Sequence, residues 1–152
     1  SQFHPNSYAL QTPASPHLAA AKDGIMIDLN QIQEPETTNH LVIEGAGGIL
    51  VPLNDTQSVV DLIQSDYKVI VVSRHYLGSI NHTLLTIEAL QNREIQVAGI
   101  IFSGDENSST ESIILSRTAV PCLGRIAQEP YFDSNVISEY ADAFRDSLMK
   151  IQ

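Results

Sequence analysis

Cysteine is almost absent from this 152-residue sequence: Cys122 stands alone. No intramolecular disulfide and no cysteine-rich metal site can form from it, and a reducing cytoplasm suits the chain. Basic residues are also scarce. Eight Lys and Arg face 18 Asp and Glu, a formal charge of −10, which argues against a nucleic-acid or anionic-membrane binder because such partners call for a basic stripe. No apolar run approaches the ~18 residues of a membrane span. The opening residues 1–7 have neither the basic nor the apolar region of a signal peptide. The sequence does not start with Met, as expected of a chain that begins after a cut or another boundary. A phosphate loop of the form G-x-x-x-x-G-K-[ST] is missing as well, since none of Lys22, Lys68 and Lys150 follows a glycine.

What is present is a core-forming composition, 43% apolar. The length suggests one domain over residues 1–152, able to bury roughly 70% of its unfolded surface. Pro5, Pro13 and Pro16 make the first seventeen residues an extended loop. The alanine-rich stretch Leu18 to Lys22, just after Pro16 and before Gly24, predicts a short helix. Strand-like runs follow at residues 40–44, 68–73, 97–102 and 121–126, the first ended by Gly45-Ala46-Gly47-Gly48. Helices are expected at 58–65, 79–93, 111–118 and 134–150. The second of these carries a stripe of Ile80, Leu84, Ile87 and Leu90, broadened by Leu85. The last carries Val136, Ile137, Tyr140, Phe144 and Leu148. Continuous apolar strands alternating with helices give an α/β fold, a parallel sheet with helices on both faces.

In such sheets ligands collect beyond the carboxyl ends of the strands. Those ends read Glu44 with its glycine turn, Ser73-Arg74-His75, and Ser103-Gly104-Asp105. A carboxylate followed by close-approach glycines suits a magnesium–phosphate site, because it offers a hard oxygen ligand beside amides that an anion can reach. Spacing alone leaves open a buried Glu satisfied by neighbouring amides, with glycines needed only for the turn. At Leu77-Gly78-Ser79-Ile80-Asn81-His82-Thr83, Gly78 permits a tight turn and Ser79 is expected to cap the helix. The free amides there could hold a carboxylate or phosphate. An ordinary capped helix with solvated Asn81 and His82 is the alternative. The five histidines are scattered, with no zinc-ligand spacing. Ser116 and Cys122 have no base nearby in sequence to activate them.

Three stretches together resemble dethiobiotin synthase, the ATP-dependent enzyme of biotin synthesis. They are Ser15-Pro16-His17-Leu18-Ala19-Ala20, the block from Val42 to Leu53 (V-I-E-G-A-G-G-I-L-V-P-L), and the block from Leu77 to Thr86 (L-G-S-I-N-H-T-L-L-T). The Ala98-Gly99 strand and Leu123-Gly124-Arg125-Ile126 follow in the family's order. The resemblance implies a P-loop-type α/β domain, here its carboxyl-terminal portion without the P-loop. It further implies a homodimer that closes the ureido ring of dethiobiotin from 7,8-diaminononanoate, CO₂ and ATP. By that resemblance Glu44 is a Mg²⁺ ligand, and Gly45, Ala46 and Gly47 line the nucleotide–substrate site. Gly78, Ser79, Ile80 and Asn81 receive the substrate's carboxylate tail from the other subunit, and Ser15 and His17 lie near the substrate. The family usually ends its third strand in a base-reading Asn, where this chain has Ser103, and a hydroxyl cannot reproduce the paired donor and acceptor of an amide. Gly104 and Ala127-Gln128-Glu129 match backbone contacts to the base. A non-catalytic relative that binds substrate or dimerises is the alternative function. A cobyrinic acid synthase or partitioning ATPase would share the strand-and-glycine texture but not the L-G-x-I-N-H block.

Overall fold

A computed structural model of the protein describes residues 3–151. The chain divides into two compact units between residues 64 and 65.

In the first unit the alanine-rich stretch forms α1 (Pro16–Asp23), with Pro at its first position, where no amide bond is lost. It ends at Gly24, whose φ of 68° turns the chain back so that the Ile25 amide bonds the Ala20 carbonyl at 2.8 Å. Asp23 ties the preceding loop to this helix, accepting from the Thr12 hydroxyl at 2.8 Å and the Gln11 amide at 2.6 Å. Those bonds, the Thr12 hydroxyl foremost, hold its carboxyl below the usual range. Ala20, Ile27, Leu53 and Val59 form the unit's core.

Two sequence expectations fail in this unit. Residues 40–44 form no strand, and Val42 is 90% exposed. A β-branched apolar run becomes a strand only when a neighbour completes its ladder, and no described residue pairs with this one. Glu44 therefore does not lie at a strand end. The helix expected at 58–65 contracts to a 3₁₀ turn, Val59–Leu62, opened by a capping box in which Asp61 accepts from the Ser58 amide at 2.7 Å.

The second unit is the α/β part. Its parallel sheet has the order β1 (Val69–Arg74), β2 (Val97–Ser103), β3 (Cys122–Ile126). Between and after the strands run α2 (Ser79–Gln91), α3 (Ser108–Thr118) and α4 (Ser134–Met149). The strand register sorts the helices by face. Ser73 pairs with Phe102 and Phe102 with Arg125. Ser73 bonds Thr83 of α2 at 2.8 Å and Arg125 bonds Glu111 of α3, so both helices lie on that face. Gly124 pairs with Ile101 on the opposite face, and there Phe144 of α4 packs directly on it. Helices thus cover both faces, as the continuous apolar strands imply.

The buried stripe of α2 differs from the expected one. Ser79, Thr83, Ile87 and Leu90 face inward, while Ile80 and Leu85 are exposed. Small hydroxyl residues let the helix approach β1 closely, and the Ser73–Thr83 bond satisfies both buried hydroxyls.

Candidate functional site

In the first unit, Glu44 leads into a turn that calls for glycine at two positions. A Cβ on Gly45 would sit 2.8 Å from Cγ1 of Val59, and Gly47 has a φ of +80°. The turn is closed by Val51 N–H to Gly48 O at 3.0 Å and Val60 N–H to Ile49 O at 2.8 Å. Glu44 is exposed, and among the described residues its carboxylate makes no hydrogen bond or ion pair. The alternative of a buried Glu satisfied by neighbouring amides therefore does not describe it. No three His, Cys, Asp or Glu converge to hold a metal ion among the described residues. One open carboxylate still fits a single position around Mg²⁺, which is commonly bound by one or two carboxylates with water and phosphate oxygens completing its shell. Ser15 and His17, at the start of α1, are exposed; the Ser15 side chain makes no cap bond, and its carbonyl accepts the Ala19 amide at 2.9 Å.

In the second unit, the start of α2 opens into a depression of about 800 Å³ lined by residues 75–81, Leu84, Asn107 and Thr110. Gly78, with a φ of 103°, is the N-cap, so Ser79 is the first helical residue and not the cap the sequence suggests. A glycine can take the left-handed turn that a serine resists, so the cap lies one residue before the expected one while the helix begins at Ser79 as expected. The Ser79 amide bonds the Tyr76 carbonyl at 3.0 Å and the His82 amide bonds the Gly78 carbonyl at 3.1 Å. The Ile80 and Asn81 amides fall between these bonds and have no backbone acceptor. They carry the partial positive charge of a helix N-terminus beside the apolar Leu77 and Leu84. Tyr76 and His82 form a hydrogen-bonded pair at the rim.

The ends of β2 and β3 meet next to this pocket. The Ser103 carbonyl accepts the His75 amide at 2.9 Å, and the Gly104 amide bonds the Ile126 carbonyl at 2.8 Å. The Ala127 amide donates to the Tyr140 hydroxyl. The Gly104 and Ala127 amides are thus already engaged, and a base reaching this edge would meet carbonyls and side chains. Gln128 is exposed and Glu129 half-buried.

Beneath the pocket lies a polar cluster that the sequence does not advertise. Glu111 accepts from Arg125 Nε at 2.9 Å and Nη2 at 2.8 Å, from His75 Nε2 at 2.9 Å, and from the Asn107 amide at 3.4 Å. The Arg125 bond, more than that of His75, holds the Glu111 carboxyl below its ordinary range. An ionised carboxylate only accepts, so His75 carries its proton on Nε2. The His75 ring stacks on Phe102, centroids 5.6 Å apart, and its Nδ1 is buried with no partner among the described residues. Glu111, Arg125, Asn107, Thr110 and Tyr140 were absent from the sequence-based site. The one available signal was Glu111 itself, a charged residue three positions before buried Ile114 on the same helix face.

Residues 1–135 match a family model described as an AAA domain. A protein of Christiangramia forsetii named ATP-dependent dethiobiotin synthetase BioD is 56% identical over 99% of this chain and 73% of its own length. One of the same name from Cytophaga hutchinsonii is 51% identical over 91% of this chain and 68% of its own. Another from Rhodopseudomonas palustris strain HaA2 is 44% identical, with 93% of this chain and 63% of the relative covered. None of the described helices is long and apolar enough to cross a membrane. The chain belongs to the ATP-dependent dethiobiotin synthetase family.

Proposed function

We propose that these residues serve an ATP-dependent dethiobiotin synthetase of biotin biosynthesis. The observation that carries this reading is the start of α2, where the Ile80 and Asn81 amides open beside Leu77 and Leu84. Two amides and an apolar wall suit an aliphatic chain that ends in a carboxylate, which is the tail of 7,8-diaminononanoate. In the proposed reaction one amine takes up CO₂ as a carbamate and a carbamate oxygen takes the γ-phosphoryl group of ATP, releasing ADP. The second amine then attacks the carbamate carbon and displaces phosphate, closing the ureido ring. Glu44 would hold Mg²⁺, whose contribution is to neutralise phosphoryl charge. Gly45, Ala46 and Gly47 would line the phosphate path. Ser103, Gly104 and the stretch 127–129 would edge the base site, with Ser103 giving weaker base selection than an amide side chain.

Residues 1–152 would then belong to one P-loop-type domain of a cytoplasmic homodimer, with residues 78–81 serving the partner's substrate. The 152 residues contain no G-x-x-x-x-G-K-[ST] loop, so phosphoryl transfer by this stretch alone is not expected. The test is dethiobiotin formation from 7,8-diaminononanoate, bicarbonate and Mg-ATP by the complete gene product that contains these residues. Turnover is expected, and Glu44→Gln should leave the fold intact while sharply lowering the rate and its response to magnesium. A well-folded complete product that binds 7,8-diaminononanoate without turnover would favour the non-catalytic alternative.

A further inference from the structure

We propose that Glu111 is a positioning residue for the pocket at the start of α2, acting through His75 and Asn107. This rests on the reading of that pocket as the site of a substrate carboxylate.

A carboxylate offers about four acceptor sites. In Glu111, Oε1 accepts from Arg125 Nε, His75 Nε2 and the Asn107 amide, and Oε2 accepts from Arg125 Nη2. All four donors belong to the protein, the side chain is only 11% exposed and it does not line the pocket, so Glu111 works through the groups it holds. Two of those bonds fasten α3 to β3 by way of Arg125. The other two run to His75 and Asn107, and both of these line the pocket. His75 follows β1 and Asn107 caps α3, whose Thr110 amide bonds Asn107 Oδ1 at 3.1 Å. One carboxylate thus sets two lining residues that come from different elements of the pocket that Ile80 and Asn81 also line. An acceptor-only partner at Nε2 also selects one tautomer of His75. Nδ1 is left as a lone pair that cannot donate while the ring is neutral. The stack on Phe102 fixes the plane of the ring, and Glu111 fixes its rotation within that plane.

The experiment uses the 152-residue chain labelled with ¹⁵N. Long-range ¹H–¹⁵N spectra report the tautomer of His75, and amide spectra report residues 78–81, Asn107 and Thr110. The binding probe is nonanoate, a nine-carbon carboxylate without the two amines. In the wild-type chain His75 is expected as the Nε2–H form, and nonanoate should shift the Ile80 and Asn81 amides. Glu111→Gln offers a donor as well as an acceptor, so His75 should become a mixture of tautomers and nonanoate affinity should fall on the order of tenfold. His75→Phe keeps the stack and the Glu111–Arg125 pair, and serves if Glu111→Gln does not fold. It should weaken nonanoate by a similar factor, and the double variant should be little worse than either single one. An unchanged His75 tautomer together with unchanged nonanoate affinity in Glu111→Gln would overturn the proposal. So would full wild-type affinity in His75→Phe. Failure of nonanoate to bind the wild-type chain would instead remove the carboxylate reading of the pocket, while the tautomer would still decide whether Glu111 sets His75.

Discussion

The Ala127 amide donates to the phenolic oxygen of Tyr140 at 2.9 Å, across the gap between the end of β3 and α4. The same hydroxyl donates onward to Glu129 Oε1 at 2.6 Å, so one side chain pins both ends of the stretch 127–129. The bond to Glu129 is the main reason the Tyr140 phenol is raised above its ordinary value of 10.0. A raised phenol stabilises the folded state below the ordinary tyrosine pKa, and that contribution is lost as pH rises through the folded value. A spectrophotometric titration should therefore show Tyr140 contributing a late-ionising component. Tyr140→Phe should abolish that late component and speed hydrogen exchange at Ala127. A titration unchanged by the substitution would refute the assignment.

The three strands were legible in the sequence because their apolar runs are continuous and each ladder partner comes from an equally clear run. Residues 40–44 have the same local texture, yet strand identity depends on a neighbour as well as on the residues themselves. The stripe of α2 misled for a related reason. Ser79 and Thr83 look like surface residues in the sequence, yet both are buried, and Thr83 finds its partner in the Ser73 hydroxyl. The glycine turn after Glu44 and the tight turn at Gly78 were readable, since both need conformations that only particular residues supply, although the cap falls on Gly78 where Ser79 was expected. The Glu111 cluster was not. His75 lies 36 positions before Glu111 and Arg125 14 positions after it, and only the fold makes them neighbours.

Gly124 is required by the approach of α4. A Cβ there would lie 2.2 Å from Cε1 of Phe144, at a φ of +154°. Gly124→Ala should cost about 2–3 kcal/mol in urea unfolding, the range of overpacking in a close-packed core. Phe144→Leu alone should also destabilise, by creating a void. Combined with Gly124→Ala it should cost less than the sum, because the smaller side chain yields the space that the new methyl takes. Strict additivity would mean that the two residues do not press on one another.

Acid should weaken the second unit through Glu111. Its folded carboxyl is held below the ordinary value of 4.5, first by Arg125 and then, against the opposing effect of burial, by His75. A depressed carboxyl contributes stability that is present above the unfolded value and is lost as pH falls through the folded one. Wild-type stability should thus decline from about pH 4.5 downward. Glu111→Gln should lower stability near neutrality by about 1.5–3 kcal/mol, the scale of hydrogen bonds to a charged group. It should also flatten the acid limb. Denaturation curves recorded at several pH values compare the two, and parallel acid limbs would assign the decline to other carboxylates.

Leu77 offers the most direct test of the proposed homodimer. Its side chain is 102% exposed, beside Tyr76 at 53% and one helical turn before Ile80 at 37%. A single exposed leucine is ordinary, but three apolar neighbours at the rim of a pocket form a patch of the kind that partners cover. Burying a leucine is worth about 1.5–3 kcal/mol, so Leu77→Asp in each of two symmetric copies should shift sedimentation velocity profiles from dimer to monomer. Monomer unfolding should change by less than about 0.5 kcal/mol, because the side chain touches nothing that the fold depends on. A wild-type chain that sediments as a monomer at every concentration would remove the dimer from the proposed function.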